Sequence, residues 1–146
     1  MWVTPDTSVF LLTKRGLRNA TGEFRRAQLY RIPPGAWHRN EVVVATQVDS
    51  LPIVPRPNAS GTWITDAALS SADTSGTRHL AVRSYREVFV FDIDTVTWLP
   101  TTLRATCALS YLRERNSGEA VTWLADGRLM FAAEGEFSRI HAGRCP

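Results

Sequence analysis

Short apolar runs alternate with clusters of turn-forming residues along most of the chain. The runs are rich in valine, phenylalanine and leucine, and Gly, Pro, Asp, Asn and Ser separate them. Many short strands at fairly regular spacing are typical of a sandwich, a barrel or a propeller. We predict strands at residues 9–13, 28–32, 41–48, 62–69, 79–84, 87–93, 120–124, 128–133 and 137–141.

Helical periodicity is almost absent from the chain. The best helical candidate is the segment 101–115, which contains Leu103, Cys107, Leu109 and Leu112. The same stretch also fits an outer strand at residues 104–111, so both alternatives stay open. Since every other apolar run is short, the predicted fold class is all-β.

An internal repeat divides the chain into three segments, at approximately residues 1–50, 62–112 and 118–144. Each segment contains an apolar strand, a turn with an aspartate, a second strand, a variable connection and a third strand. Asp6, Asp73 and Asp126 align in these turns. Because an aspartate accepts hydrogen bonds from backbone N–H groups one or two residues later, we interpret all three as turn-forming and not as catalytic.

The alignment also predicts a common core. Leu11, Leu80 and Leu129 are expected to occupy equivalent buried positions in the three repeats. Leu69 and Trp123 are likewise expected to occupy equivalent buried positions in the preceding strands.

The turns Thr4-Pro5-Asp6, Ser71-Ala72-Asp73 and Leu124-Ala125-Asp126-Gly127 resemble those of WD-like β-propeller repeats. The resemblance implies blades of four antiparallel strands with a variable outermost strand, for which residues 41–48 and 104–111 are the candidates. Propellers typically close with 4–8 blades. About three are visible here, so we expect a C-terminal fragment of a propeller, completed by remaining blades or a protein partner.

Composition and charge exclude several classes of protein. The 146 residues have 44% hydrophobic and 21% charged side chains, which is typical of one globular domain. The net charge is +3, and Lys14 is the only lysine among 17 basic residues. The arginines are scattered, whereas a nucleic-acid binder concentrates its charge on one face. Nucleic acid is therefore not an expected partner. No apolar run approaches the roughly 20 residues of a spanning helix, so a membrane is not an expected partner either.

No familiar nucleophile, phosphate-binding or zinc motif is present in the sequence. Position in the repeat suggests a site instead, because ligands of propellers collect at one mouth of the central channel. Asp66 and Glu119 each precede an inner strand, which resembles the acidic residues of gluconolactonase-like and phytase-like propellers. That resemblance implies a divalent cation such as Ca²⁺ or Mg²⁺ held by these two carboxylates.

Basic residues are predicted at the same channel mouth. Lys14 and Arg83 end second strands, and Tyr85 and Glu134 lie two residues beyond the corresponding positions. Such bases can hold a small anionic ligand, or they can form ordinary ion pairs between blades. The leading expectation is a non-catalytic binding or scaffold module. The alternative is a cation-assisted propeller hydrolase acting on a lactone or a phosphoester.

Two cysteines bear on the cellular compartment. A Cys107–Cys145 disulfide would fix the end of the last repeat and indicate an extracytoplasmic protein. Two free, buried thiols are the alternative, and they would fit the cytoplasm.

Overall fold

The computed structural model describes residues 1–38, 40, 42–56, 59–109, 118–133 and 140–145. About half of the described residues lie in strands and none lies in an α-helix, which confirms the all-β prediction. No described helix is therefore long and apolar enough to cross a membrane. The strands are β1 (Trp2–Val3), β2 (Val9–Leu12), β3 (Ala27–Ile32), β4 (Thr46–Leu51), β5 (Ile64–Leu69), β6 (Arg78–Ser84), β7 (Glu87–Ile93), β8 (Pro100–Ala108), β9 (Gly118–Trp123), β10 (Leu129–Ala133) and β11 (His141–Gly143).

The strands form three antiparallel sheets that follow one another along the chain. The first sheet has the order β1-β2-β3-β4, the second β5-β6-β7-β8, and the third β9-β10-β11 in the described part of the chain. None of the sheets is closed. The first strands of the sheets are neighbours, since β5 contacts both β1 and β9.

The second sheet is buried on both faces, because it packs between the other two. One face contributes Leu80, Val82, Phe91 and Ile93 to a core shared with the first sheet, which adds Trp2, Phe10 and Leu29. The other face contributes Ala81, Val88 and Val90 to a core shared with Val121, Leu129 and Phe131 of the third sheet. This is why Leu80, Ala81 and Val82 at the centre of β6 are three consecutive apolar residues and do not alternate with polar ones.

The turns use their aspartates as the sequence predicts, but in two ways. Asp6 Oδ1 accepts the Ser8 N–H at 3.1 Å, and Asp126 Oδ1 accepts the Arg128 N–H at 3.1 Å. Asp73 instead opens its turn and accepts the N–H groups of Ser75 and Thr77. The alignment of Asp73 with the other two is therefore approximate.

The predicted core is confirmed at Leu80 and Leu129, which are buried. Leu69 and Trp123 pair with them as equivalent residues, but both are only partly buried, so the prediction of burial is wrong for these two. Leu11 is only partly buried. Val9 takes the equivalent place, opposite Val3, because the first turn is shorter than the alignment assumed.

The outer strands differ from their predicted bounds. Residues 42–45 form no strand, and Val42 and Val44 are exposed at 94% and 79%. The fourth strand of the first sheet is β4, because Leu51, not the valine run, supplies the buried side chain. In the second sheet, β8 pairs with β7, so the strand and not the helix is right for residues 101–108.

The end of the chain is fixed by a covalent bond. Cys107 in β8 and Cys145 after β11 form a disulfide with a Cα–Cα distance of 5.8 Å. Residues 110–117 and 134–139 lie outside the described residues. Most of the predicted strand at 137–141 and the end of the predicted strand at 104–111 lie in these two ranges. The bond joins the outer strand of the second sheet to the end of the third.

Candidate functional site

One residue from each sheet meets at the same end of the molecule. Lys14 follows β2, Tyr85 lies in the turn between β6 and β7, and Glu119 lies near the start of β9. Because second strands run antiparallel to first strands, their ends lie beside the starts of β5 and β9. We call these three residues the three-sheet cluster.

A β-bulge aims Glu119 into the cluster. Along β9, Ala120 pairs with Ala132, but the next pair is Gly118 with Ala133, so Glu119 is the extra residue. A bulge locally re-aims a side chain and increases the twist of the strand. Glu119 is therefore positioned by a local irregularity of the strand and not by its regular alternation.

The three side chains contact one another directly. The Tyr85 hydroxyl donates to Glu119 Oε1 at 3.2 Å, and Lys14 Nζ lies 3.9 Å from Glu119 Oε2. Lys14 Nζ also lies 5.4 Å from the centre of the Tyr85 ring. Interaction with Tyr85 is the main cause that raises the pKa of Lys14, and the negative charge of Glu119 acts in the same direction. Lys14 therefore stays a cation at neutral pH.

Two residues that the sequence analysis missed extend the cluster. The Trp63 ring lies 6.4 Å from the Tyr85 ring, and the Arg15 guanidinium lies 4.1 Å from the Trp63 ring centre. Both rings are partly exposed. The available signal was adjacency, because Arg15 follows Lys14 and Trp63 precedes the strand that carries Asp66. We call the five residues together the cation–aromatic surface.

Arg83 has a different environment from the one expected at a channel mouth. Its side chain is fully buried, and Nη1 donates to the carbonyl oxygens of Ala120 and Ala132, the latter at 2.7 Å. Its guanidinium lies 5.5 Å from the Phe131 ring centre. Arg83 thus links β6 to two strands of the third sheet.

Asp66 and Glu119 are not equivalent, although the alignment predicted that they are. Asp66 pairs with Arg83 across the sheet, and its structural counterpart in β9 is Ala120. Because Glu119 is the bulged residue, its contacts and not the alternation of β9 distinguish it from Asp66: Glu119 contacts Tyr85 and Lys14, whereas Asp66 contacts the β9 backbone. Asp66 Oδ2 accepts the Val121 N–H at 3.0 Å, and Oδ1 lies 3.8 Å from the Met1 amino group.

The predicted site residues therefore form two groups, which differ in the parts of the molecule that they contact. The structure brings together Lys14, Tyr85 and Glu119, and it places Arg83 and Asp66 between strands of neighbouring sheets. Glu134 lies outside the described residues. Within the described ranges, no group of three or more His, Cys, Asp or Glu side chains is arranged to hold a metal ion.

No protein-family model, curated protein or solved structure matches this chain.

Proposed function

We propose that this chain is part of a β-propeller and acts as a non-catalytic binding module, with the cation–aromatic surface as its contact for a protein partner. The observation that carries the proposal is the three-sheet cluster, in which one side chain from each sheet meets the others at one end of the molecule.

The arrangement of the sheets supports the propeller assignment. Antiparallel four-stranded sheets that pack face to face, with their first strands adjacent, are the units from which propellers are built. Here the second sheet is covered on both faces by the first and third sheets. Among the described residues, no further sheet packs on the outer face of the first or the third sheet. Val3 of the first sheet is 55% exposed on such a face. Further blades or a protein partner would cover these faces.

The chemistry of the cation–aromatic surface supports protein binding. Trp, Tyr and Arg are the residues enriched where interfaces gain most of their binding energy. Trp63, Tyr85 and Arg15 contact one another in a row, while Lys14 and Glu119 provide opposite charges at one end of it. Because Tyr85 is held by Glu119 and covered by Lys14, binding loses little side-chain entropy.

The disulfide supports an oxidising compartment for this module. Disulfides persist in secreted and periplasmic proteins and are rare where thiols are kept reduced. The Cys107–Cys145 bond therefore favours an exported protein.

The proposal is tested by selecting binders and mapping them. A displayed peptide library is selected on the wild-type chain, and the affinities of enriched peptides are measured by titration calorimetry. We expect Tyr85→Ala and Trp63→Ala each to weaken binding by about tenfold or more, since truncation of such a residue costs about 2 kcal/mol or more.

Tyr30→Ala is the matched control, because Tyr30 is a partly buried tyrosine of β3 that lies outside the cation–aromatic surface. Circular dichroism verifies that each variant is folded. Peptides that bind equally well to the Tyr85 and Trp63 variants, or a selection that enriches no binder, would overturn the proposal.

A further inference from the structure

A cavity of about 560 Å³ that is open to solvent lies between the second and third sheets, at the opposite end of the strands from the three-sheet cluster. It is lined by the turn that contains Asp73, by His79 and Val90, by Arg104 of β8, and by Trp123 beside the disulfide at Cys145. Its volume falls within the range of small-molecule sites, about 300–1,000 Å³. This site is independent of the proposed protein contact.

Trp123 provides a fixed aromatic wall. Its indole N–H donates to the Ala68 carbonyl at 3.0 Å, which anchors the ring to the second sheet. The ring lies 6.3 Å from the His79 ring, at an angle of 39°. With its polar atom already bonded, Trp123 offers only apolar ring surface to an occupant of the cavity.

His79 and Arg104 are oriented by one shared carboxylate. Asp92 Oδ1 lies 3.1 Å from His79 Nδ1, and Asp92 Oδ2 accepts a hydrogen bond from Arg104 Nε at 2.6 Å. Only the Arg104 contact is a hydrogen bond, since His79 Nδ1 and Asp92 Oδ1 lie close together without hydrogen-bond geometry. The Arg104 side chain is 60% exposed. Among the described residues its Nη groups and His79 Nε2 make no hydrogen bond, so they are available to an occupant of the cavity.

The charges around the cavity are balanced. The lining includes one carboxylate, Asp73, and one guanidinium, Arg104, which is paired with Asp92, so it carries no excess of positive charge that would select a phosphate or a carboxylate. A hydroxyl group both donates and accepts, and it can therefore satisfy the Arg104 Nη groups and the His79 Nε2 together. A ring that carries several hydroxyls and has one apolar C–H face suits this lining and the Trp123 wall.

We propose that this cavity binds a neutral mono- or disaccharide, with one face of the sugar ring against Trp123 and its hydroxyls bonded to His79 and Arg104. The hydrogen bonds orient the sugar, and the aromatic wall excludes water from one side of it. This follows the general pattern of a small-molecule site, in which apolar surface is combined with a few oriented polar groups.

Saturation-transfer NMR with glucose, galactose, N-acetylglucosamine, maltose and cellobiose tests the proposal on the intact 146-residue chain. We expect saturable binding of at least one of these sugars. Arg104→Ala should weaken it by roughly tenfold, as loss of hydrogen bonds from a charged group does. Ala105→Phe, which places a ring at the cavity wall, should block binding.

Arg31→Ala is the matched control, because Arg31 pairs with Asp6 at 3.3 Å in the first sheet, away from the cavity. Binding that survives both cavity variants in a folded protein would overturn the proposal. So would the absence of binding at up to about 20 mM sugar, a limit above millimolar affinities. Preferential binding of glucuronate or glucose 6-phosphate over the neutral sugars would show that the cavity selects an anion instead.

Discussion

Arg83 connects the second and third sheets, and its buried guanidinium lies so close to Gly118 that no additional side-chain atom fits between them. A Cβ atom built on Gly118 would lie 1.6 Å from Arg83 Nη2 and 2.3 Å from Cζ. The guanidinium cannot move aside freely, because it is fully buried and donates to two carbonyl oxygens. Gly118 is thus required by the close approach of a side chain from another sheet.

Gly118→Ala should therefore destabilise the protein by about 1–3 kcal/mol or more, the usual cost of overpacking. Urea denaturation measures the change in the free energy of unfolding. Gly76→Ala measures the separate cost of backbone strain, since Gly76 has a φ of +82° and an added Cβ there would meet no atom within 4 Å. A loss for Gly118→Ala below about 1 kcal/mol would contradict the proposed role of the close approach.

The turn aspartates were predictable from the sequence because their chemistry is local. Hydrogen bonds from the Arg128 backbone and side chain lower the pKa of Asp126, and the charges of Arg128 and Arg144 act in the same direction. A carboxyl with a lowered folded-state pKa stabilises the protein fully above its unfolded pKa, near 4, and this contribution is lost as the pH falls through the folded pKa.

Asp126→Asn separates that charge effect from the turn itself, because the amide oxygen can still accept the Arg128 N–H. We expect the variant to be less stable than the wild type above about pH 4. Below the folded pKa of Asp126 the two proteins should become equally stable. Urea midpoints between about pH 6 and 2.5 measure this difference. A difference that stays constant over the whole range would rule out Asp126 ionisation as its cause.

At the scale of the elements, alternation predicted most strands, but it could not predict bulges. The offset between Asp66 and Glu119 arises because Asp66 lies three residues before Leu69, whereas Glu119 lies four residues before the equivalent Trp123. The bulges themselves are equivalent, since the extra residue is Thr65 in β5 and Glu119 in β9. A single inserted residue changes which side chains face the core, and nothing in the local composition marks it. The valines at 42–44 form no strand for a different reason, since β propensity does not supply a surface to pack against.

The same reasoning predicts different costs for two leucines that the sequence alignment treated as equal. Leu80 is fully buried in the core between the first two sheets, whereas Leu11 is partly exposed. Leu80→Ala should cost about 2–5 kcal/mol, and Leu11→Ala should cost clearly less. Denaturant titration of both variants measures the two losses. Equal losses would mean that Leu11 is packed as tightly as Leu80.

The disulfide is expected to stabilise the attachment of the third sheet. Cys107 and Cys145 are 38 residues apart in sequence, and closing a loop of this length contributes about 3–4 kcal/mol on the chain-entropy model. Reduction with dithiothreitol should lower the melting temperature of the wild type. The Cys107→Ser/Cys145→Ser double variant should melt at the lower temperature with or without reductant. A wild type that melts identically in both conditions would contradict this contribution.

At the scale of the whole molecule, the sequence was sufficient to predict an all-β fold, because turns and apolar runs are local patterns. The three antiparallel sheets are consistent with the predicted recurrence. It also placed Lys14, Tyr85 and Glu119 at one end of the repeats. It did not predict that Arg83 is buried between sheets, since burial of a charged side chain depends on which carbonyl groups a neighbouring sheet presents. Trp63 and the cavity at Trp123 were missed for the same reason, because both depend on packing between sheets.

The binding module and the cation-assisted hydrolase make opposite predictions for the effect of divalent cations on stability. Binding of a cation to the folded state at 100 times its Kd would stabilise it by about 2.7 kcal/mol. For a chain of this size, that raises the melting temperature by roughly 5–10 °C. Because Asp66 and Glu119 have separate partners, we expect Ca²⁺ and Mg²⁺ to leave the melting temperature of the wild type unchanged. Differential scanning calorimetry with and without each cation measures the effect, and Na⁺ at matched ionic strength is the control. A saturable rise that Glu119→Gln abolishes would instead favour a metal site at the three-sheet cluster and the hydrolase.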